Sequence, residues 1–257
     1  MRPRPRESTV YAGSLISRLP DQAQPAALWL RSVTGWGSRR RTSNQPSDPE
    51  PFNAQHERAA IIRALIERAR VTCAIETGTF HGVTTEYLAT IVNSVVSVEV
   101  DPFYYSVAAE RLSEATNVTL HLGDSRTVIH ALSIQPSFTD QVTLFYLDAH
   151  WGDDLPLADE LTMIGASWSR AIVVIDDFEV PGDSGYGFDN YGPGVRLDRT
   201  ILPPLAKWRG AYPSIASEQE TGSRRGWVVL TSPELSHVLE QPGLAAPWAL
   251  SPPETCA

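Results

Sequence analysis

Residues 75–82 read "IETGTFHG" and follow the run Val71-Thr72-Cys73-Ala74. An acid, Glu76, precedes Gly78 by two positions, and Gly82 lies four residues further on. This order predicts a strand that turns sharply into a helix. Gly78 and Gly82 permit the turn and bring bare backbone close to a ligand. The helix opening near Gly82 would point N–H groups at an anionic or carboxylate-bearing group. A dinucleotide loop would use Gly-x-Gly-x-x-Gly to cradle a pyrophosphate. Here the spacing is Gly-x-x-x-Gly, with Thr77, Thr79 and Phe80 filling the loop. Glu76 would repel a pyrophosphate, but it suits a ligand carrying an ammonium beside a carboxylate. An amino-acid moiety fits.

Upstream, Ala59, Ile62, Leu65, Ile66 and Ala69 recur at helical spacing, with Glu57, Arg58, Arg63 and Glu67 assigned to other faces. Downstream, strands at 71–77, 95–100, 118–122, 142–148 and 171–176 alternate with helices at 82–92, 102–115, 125–133 and 155–167. "VTLFYLD" and "AIVVID" are almost wholly apolar, as strands are when helices cover both faces of a sheet. The alternation predicts an α/β fold with a doubly wound, mostly parallel sheet. Two further strands, at 212–219 and 226–231, read as a C-terminal antiparallel hairpin.

Ligands of such a sheet sit beyond the carboxyl ends of its strands. Those ends carry Glu76, Glu99, Asp124, Asp148 and the pair Asp176-Asp177. Any one acid could be a helix cap or a solvated loop residue, but acids at five strand ends on one rim ask for more than capping. Glu99 closes "SVVSVEV", where an acid accepts both hydroxyls of a ribose. In "GDS" at 123–125, Asp124 would accept an exocyclic amino group and the Ser125 N–H would meet a ring nitrogen. An amino acid, a ribose and an aminopurine together describe S-adenosylmethionine.

On these motifs the chain resembles the class I S-adenosylmethionine-dependent methyltransferases. "ETGTFHG", "VEVD", "GDS" and "RRGWVVL" carry the resemblance, over about residues 53–232. It implies a Rossmann-like, seven-stranded sheet whose last strand is inserted antiparallel. It also implies that Glu76, Gly78, Thr79 and Gly82 face the methionine part, Glu99 the ribose, and Asp124 with Ser125 the adenine. Asp148 closes the cofactor side.

Methyl transfer from a sulfonium is an in-line displacement, so the protein must align the acceptor and remove its proton. A general base and a divalent metal are the two devices available. "YLDAHW" (146–151) and "VIDDFE" (174–179) supply residues for both. They look similar to metal-dependent O-methyltransferases acting on catechols and macrolide sugars. That resemblance implies Mg²⁺ on Asp148, Asp176 and Asp177, although metal-free relatives keep acids there too. It also implies His150 as the general base beside Asp148, since an ordinary imidazole titrates at about 6.5. The glycine-rich stretch 179–198 reads as a lid, and Trp151, Tyr186, Phe188 and Tyr191 as an apolar wall for an acceptor. Trp168 and Trp208 read as helical core residues.

The bulk numbers set the remaining bounds. A chain of 257 residues that is 42% hydrophobic can bury one full core. Residues 1–50 carry eight arginines and four acids, while the rest carries 13 basic residues and 26 acids. The net charge of −9 disfavours nucleic-acid partners. The two cysteines, Cys73 and Cys256, offer neither a disulfide framework nor a zinc site. No apolar stretch reaches the ~18–20 residues of a membrane helix, and the start lacks a signal peptide's apolar block, which predicts a cytoplasmic protein without membrane contact. Residues 1–52 read as a Pro/Arg-rich tail, 53–232 as the methyltransferase domain and 233–257 as a C-terminal tail. The expected activity is O-methylation of a small molecule: a sugar, phenol or natural-product hydroxyl. Relatives of this kind often form homodimers. The alternatives are a hydroxylase-like or regulatory protein that binds the cofactor without methylating, and a dehydrogenase, which the glycine spacing disfavours.

Overall fold

In the computed structural model, residues 50–150, 154–192 and 195–250 are described. A single left-handed turn, α1 (Pro51–Ala54), leads into helix α2 (His56–Ala69). Four β-α units and a fifth parallel strand follow in order: β1 (Cys73–Thr77), α3 (Val83–Ala89), β2 (Ser94–Glu99), α4 (Pro102–Arg111), β3 (Val118–Leu122), α5 (Ser125–Ser133), the short α6 (Pro136–Thr139), β4 (Thr143–Leu147), α7 (Leu157–Ser167) and β5 (Ala171–Ile175). The chain closes with β6 (Arg209–Ala211), β7 (Val228–Thr231) and β8 (Trp248–Ala249).

The eight strands form one sheet in the order β3-β2-β1-β4-β5-β7-β6-β8. β1 to β5 run parallel. β7 is inserted antiparallel between β5 and β6, and β8 extends the edge antiparallel to β6. Winding reverses between β1 and β4, so the crevice for a ligand opens beyond their carboxyl ends. β1, β4 and β5 are buried along their whole length, and their alternate residues feed two cores. Ile75, Phe145, Val173 and Ile175 pack under α5 and α7. Ala74, Leu144, Tyr146, Ile172 and Val174 pack under α2 and α3. The period of two in side-chain direction makes both faces apolar at once.

Three expectations, on the number of strands, the place of the sixth strand and the setting of Trp208, are corrected here. The sheet has eight strands, not seven. The sixth is Arg209–Ala211 rather than 212–219, where Ser217–Gln219 forms a 3₁₀ turn instead. Gly210 and Ala211 have weak strand propensity, yet the bare Cα of Gly210 is what admits the Trp248 ring, which a Cβ would strike. Buried side chains also lie on either side of 53–232. Phe52 is buried against Tyr87 and Tyr146, with ring centroids 5.3 Å away in each case. Leu235, Val238, Leu239, Leu244 and Leu250 are buried beyond residue 232. Apolar side chains spaced irregularly through turns carry no periodic signal. Trp168 and Trp208 are core residues, but Trp208 precedes β6 in a turn rather than a helix. Among the described residues, no helix is long and apolar enough to cross a membrane.

Candidate active site

The strand-end acids lie where the topology requires, on one edge of the parallel sheet. Glu76 sits in β1 and is almost fully buried. Its Oε2 accepts from the Thr85 hydroxyl and from Ser97 Oγ at 2.5 Å. Burial pushes its carboxyl up to about 7, against the pull of Ser97 and Thr85. Gly78 has φ +84°, and a Cβ there would collide with the Asp148 carbonyl. Its glycine therefore serves the close packing of the β1 loop on the end of β4 as well as any ligand. Thr79 Oγ1 shares a 2.6 Å hydrogen bond with Ser97 Oγ. Gly82, at φ +75°, caps α3.

Glu99 ends β2. Its Oε2 accepts from the Phe80 N–H at 2.7 Å and its Oε1 from the Asp101 N–H at 2.9 Å. Burial raises this carboxyl while those N–H groups pull it down. Each oxygen keeps a second acceptor site, the arrangement a diol needs. Asp124 is used differently from the expectation. It caps α5 through the Arg126 N–H at 2.8 Å and pairs with the Arg126 guanidinium at 2.6 Å. Arg126 holds its carboxyl below the usual range. Ser125, next to it, is buried as the first residue of α5.

A cavity of about 300 Å³ opens at the β1/β4 switch, lined among others by Glu76, Gly78, Asp148, Asp176, Phe52 and Asn53. Three consecutive left-handed residues, Phe52, Asn53 and Ala54, shape its outer wall. Left-handed backbone costs about 1–2 kcal/mol per residue. Here it is fixed by the Ser223 N–H bonding the Asn53 carbonyl at 3.0 Å and the Thr221 hydroxyl bonding the Ala54 carbonyl at 2.7 Å.

Asp176 is completely engaged. Its Oδ1 meets Arg58 Nη1 at 2.7 Å and the Asp177 N–H at 2.7 Å. Its Oδ2 accepts from Tyr146 at 2.7 Å and Asn53 at 3.1 Å. Burial alone would raise the Asp176 carboxyl, but the Arg58 guanidinium and these donors hold it below its ordinary value. Arg58 was expected on an outer face of its helix, yet it is fully buried. Its spacing to Ile62 and Leu65, i+4 and i+7, was the signal that places it on the inward stripe.

Asp148, Asp177 and His150 form a separate group. Each offers one ligand atom, and these atoms lie within 4.8 Å of one another. Asp176, the third expected ligand, stands outside it. Burial and the charges of Asp176 and Asp177 push the Asp148 carboxyl well up. Burial and the Asp176 charge raise Asp177 to about 7, opposed by Arg225. His150 is almost fully buried, and its Nε2 lies 3.8 Å from Asp148 Oδ1. That nitrogen has no hydrogen-bond partner among the described residues. Burial lowers the imidazole to about 4, so it is neutral at pH 7 and a far weaker base than an ordinary histidine.

Sequence reasoning missed the clamp on this group. Arg225 pairs with both Asp177 and Asp189. The Tyr191 hydroxyl lies 2.6 Å from both the His150 carbonyl and Asp189 Oδ2, and its single proton is shared between these two acceptors. The described part of 179–198 is thereby tied down: Asp189 N–H bonds the Asp177 carbonyl, and Gly187 N–H bonds the Arg224 carbonyl, both at 2.9 Å. Of the expected acceptor wall, Tyr191 stands beside His150. Tyr186 is buried, donating to the Ile215 carbonyl at 3.1 Å, and Phe188 lies under the Arg196 guanidinium. Trp151 lies outside the described residues.

No family model and no curated protein matches the chain. Solved structures do. The O-methyltransferase TomG from Streptomyces achromogenes, involved in tomaymycin synthesis and solved with S-adenosylmethionine, aligns with a TM-score of 0.50 and 18% identity over 68% of this chain and 79% of that one. An O-methyltransferase from Bacillus cereus, solved with S-adenosylhomocysteine, aligns with a TM-score of 0.50 and 14% identity over 68% of this chain and 80% of that one. The chain thus shares the α/β fold on which these S-adenosylmethionine-binding O-methyltransferases are built.

Proposed function

We propose that the protein is an S-adenosylmethionine-dependent methyltransferase acting on a hydroxyl of a small molecule, such as a sugar, phenol or other natural product. The observation that carries this reading is the pair of buried carboxylates, Glu76 and Glu99, on adjacent strand ends of a sheet with this fold. Glu76 lines the cavity and supplies a counter-charge for the cofactor's ammonium. Glu99 presents both oxygens to the ribose hydroxyls. Asp124, occupied by Arg126, leaves adenine to the neighbouring backbone of Gly123 and Ser125.

Asp148 both lines that cavity and approaches His150, so it joins the cofactor side to the acceptor side. Alignment of the acceptor oxygen with the methyl group can contribute ~7–11 kcal/mol. The buried, unpartnered nitrogen of His150 between Asp148 and Asp177 fits a divalent ion. Such an ion, when bound by those three residues, would lower the pKa of an acceptor hydroxyl. In this reading Asp148, once ionised, receives the hydroxyl proton, while His150 stays neutral and fixes the geometry of the group. Arg225 holds Asp177 and Asp189 together and so sets the acceptor-side wall.

Calorimetry with S-adenosylmethionine, S-adenosylhomocysteine and NAD tests the reading. Binding of both adenosyl ligands but not NAD is expected. No binding below roughly millimolar, or about −4 kcal/mol, would reject it. A second reading, cofactor binding without methyl transfer, draws support from the double pairing of Arg225 across the acceptor side. Transfer of labelled methyl to a panel of sugars and phenols separates the two.

A further inference from the structure

The resemblance to metal-dependent O-methyltransferases implies an all-oxygen Mg²⁺ site on three aspartates, and the side chains present a different donor set. Asp176 has no acceptor site left to give. Its two oxygens take Arg58, the Asp177 N–H, Tyr146 and Asn53. Withdrawing it toward a metal would strand the guanidinium of Arg58 in the core, and an unpaired buried charge is strongly destabilising. In its place stands an imidazole. His150 is 2% exposed, and its Nε2 is unpartnered among the described residues. It shares a region 4.8 Å wide with one oxygen each of Asp148 and Asp177. Asp176 Oδ1 also holds the N–H of Asp177, whose backbone is left-handed at φ 53°. The ion pair beneath the site therefore orients one of its donors, as outer-shell groups do for metal ligands.

One nitrogen and two carboxylate oxygens are a mixed set. Mg²⁺ favours oxygen donors and water, whereas imidazole suits the transition-series divalent ions. We propose that Asp148, His150 and Asp177 bind one transition-series divalent cation in preference to Mg²⁺, with Asp176 and Arg58 as its supporting layer rather than its ligands. The inference rests on the methyltransferase reading for what the ion does, but its claim about binding stands on these side chains alone.

The test uses the full-length protein stripped with EDTA and titrated separately with Co²⁺, Mn²⁺ and Mg²⁺ by calorimetry, with the visible spectrum of Co²⁺ followed in parallel. Saturation at one equivalent is expected, with Co²⁺ and Mn²⁺ binding more tightly than Mg²⁺ and Co²⁺ developing visible bands. His150→Ala, checked for folding by circular dichroism, should weaken Co²⁺ binding by more than about tenfold, the least seen even for outer-shell changes. Should that variant fail to fold, His150→Gln and the wild-type ranking of the three ions decide the matter. Mg²⁺ binding as tight as Co²⁺, an unchanged Co²⁺ affinity in the variant, or no binding of any ion overturns the inference. S-adenosylhomocysteine is titrated into the same samples. Its binding without Co²⁺ binding sinks the metal claim alone, and Co²⁺ binding without it sinks the methyltransferase reading alone.

Discussion

Arg58 Nη1 and Asp176 Oδ1 meet at 2.7 Å with both side chains out of reach of solvent. The pair fastens α2 to the carboxyl end of β5 directly beneath the candidate site. Tyr146 completes it, accepting from Arg58 and donating to Asp176 at 2.7 Å each. Arg58→Met should destabilise the fold by about 3–5 kcal/mol, because it leaves Asp176 charged and unpaired in the core. Adding Asp176→Asn should restore part of that loss. Chemical denaturation of the two single variants and the double variant measures the coupling, and strict additivity would count against the pair.

Glu76 predicts how cofactor binding responds to pH. Its carboxyl is pushed up to about 7 by burial, so near pH 6 it is largely protonated in the free protein. A cationic ligand selects the ionised form. S-adenosylmethionine affinity should therefore rise as pH goes from 6 to 8 and then level off, with proton release below pH 7. Calorimetry in buffers of different ionisation enthalpy detects the release. Glu76→Gln should bind more weakly and lose the pH trend.

Glu160 offers a stability test away from the cavity. It is buried on α7 and its carboxyl is raised by burial from 4.5 to about 7. The native state thus holds this proton more tightly than the unfolded state. The group's contribution is fully present below pH 4.5 and is lost as pH rises to about 7. Glu160→Gln should flatten the decline in stability over that window, as read from melting temperature against pH.

Gly78→Ala tests the packing of the glycine loop. The new methyl would need left-handed backbone and would meet the Asp148 carbonyl. A loss of more than about 1 kcal/mol is expected, since Ala is strained at positive φ. Weakened S-adenosylmethionine binding should accompany it, because the displaced carbonyl belongs to the residue at the cavity's acceptor end. An unchanged melting temperature would show that the loop is looser than its contacts indicate.

His150→Ala should slow turnover by at least about tenfold, since even changes to groups that only orient a metal site cost about 10–100-fold. Its affinity for S-adenosylhomocysteine should stay near wild type, because His150 does not line the cavity beside Glu76. Steady-state kinetics with an identified acceptor provides the measurement.

The order of strands and helices was readable in advance because continuous apolar runs, helical spacing and turn residues are local signals. Glu76, Gly78 and Glu99 were equally legible, since the end of a parallel strand is a defined place in the fold. Residues 210–211 and 248–249 were not, because a strand of two or three residues owes its existence to the neighbour it pairs with. The same limit applies at the site. The sequence alone determined that acids would gather on one rim, because parallel strands all end on the same edge. Which acids remain free was decided by tertiary structure. Arg58 arrives from α2 to occupy Asp176, Arg126 turns back on Asp124, and burial leaves His150 neutral beside Asp148 and Asp177. Charge pairing and desolvation depend on distance in space, which spacing along the chain fixes only for near neighbours such as Asp124 and Arg126 or for the face of a single helix.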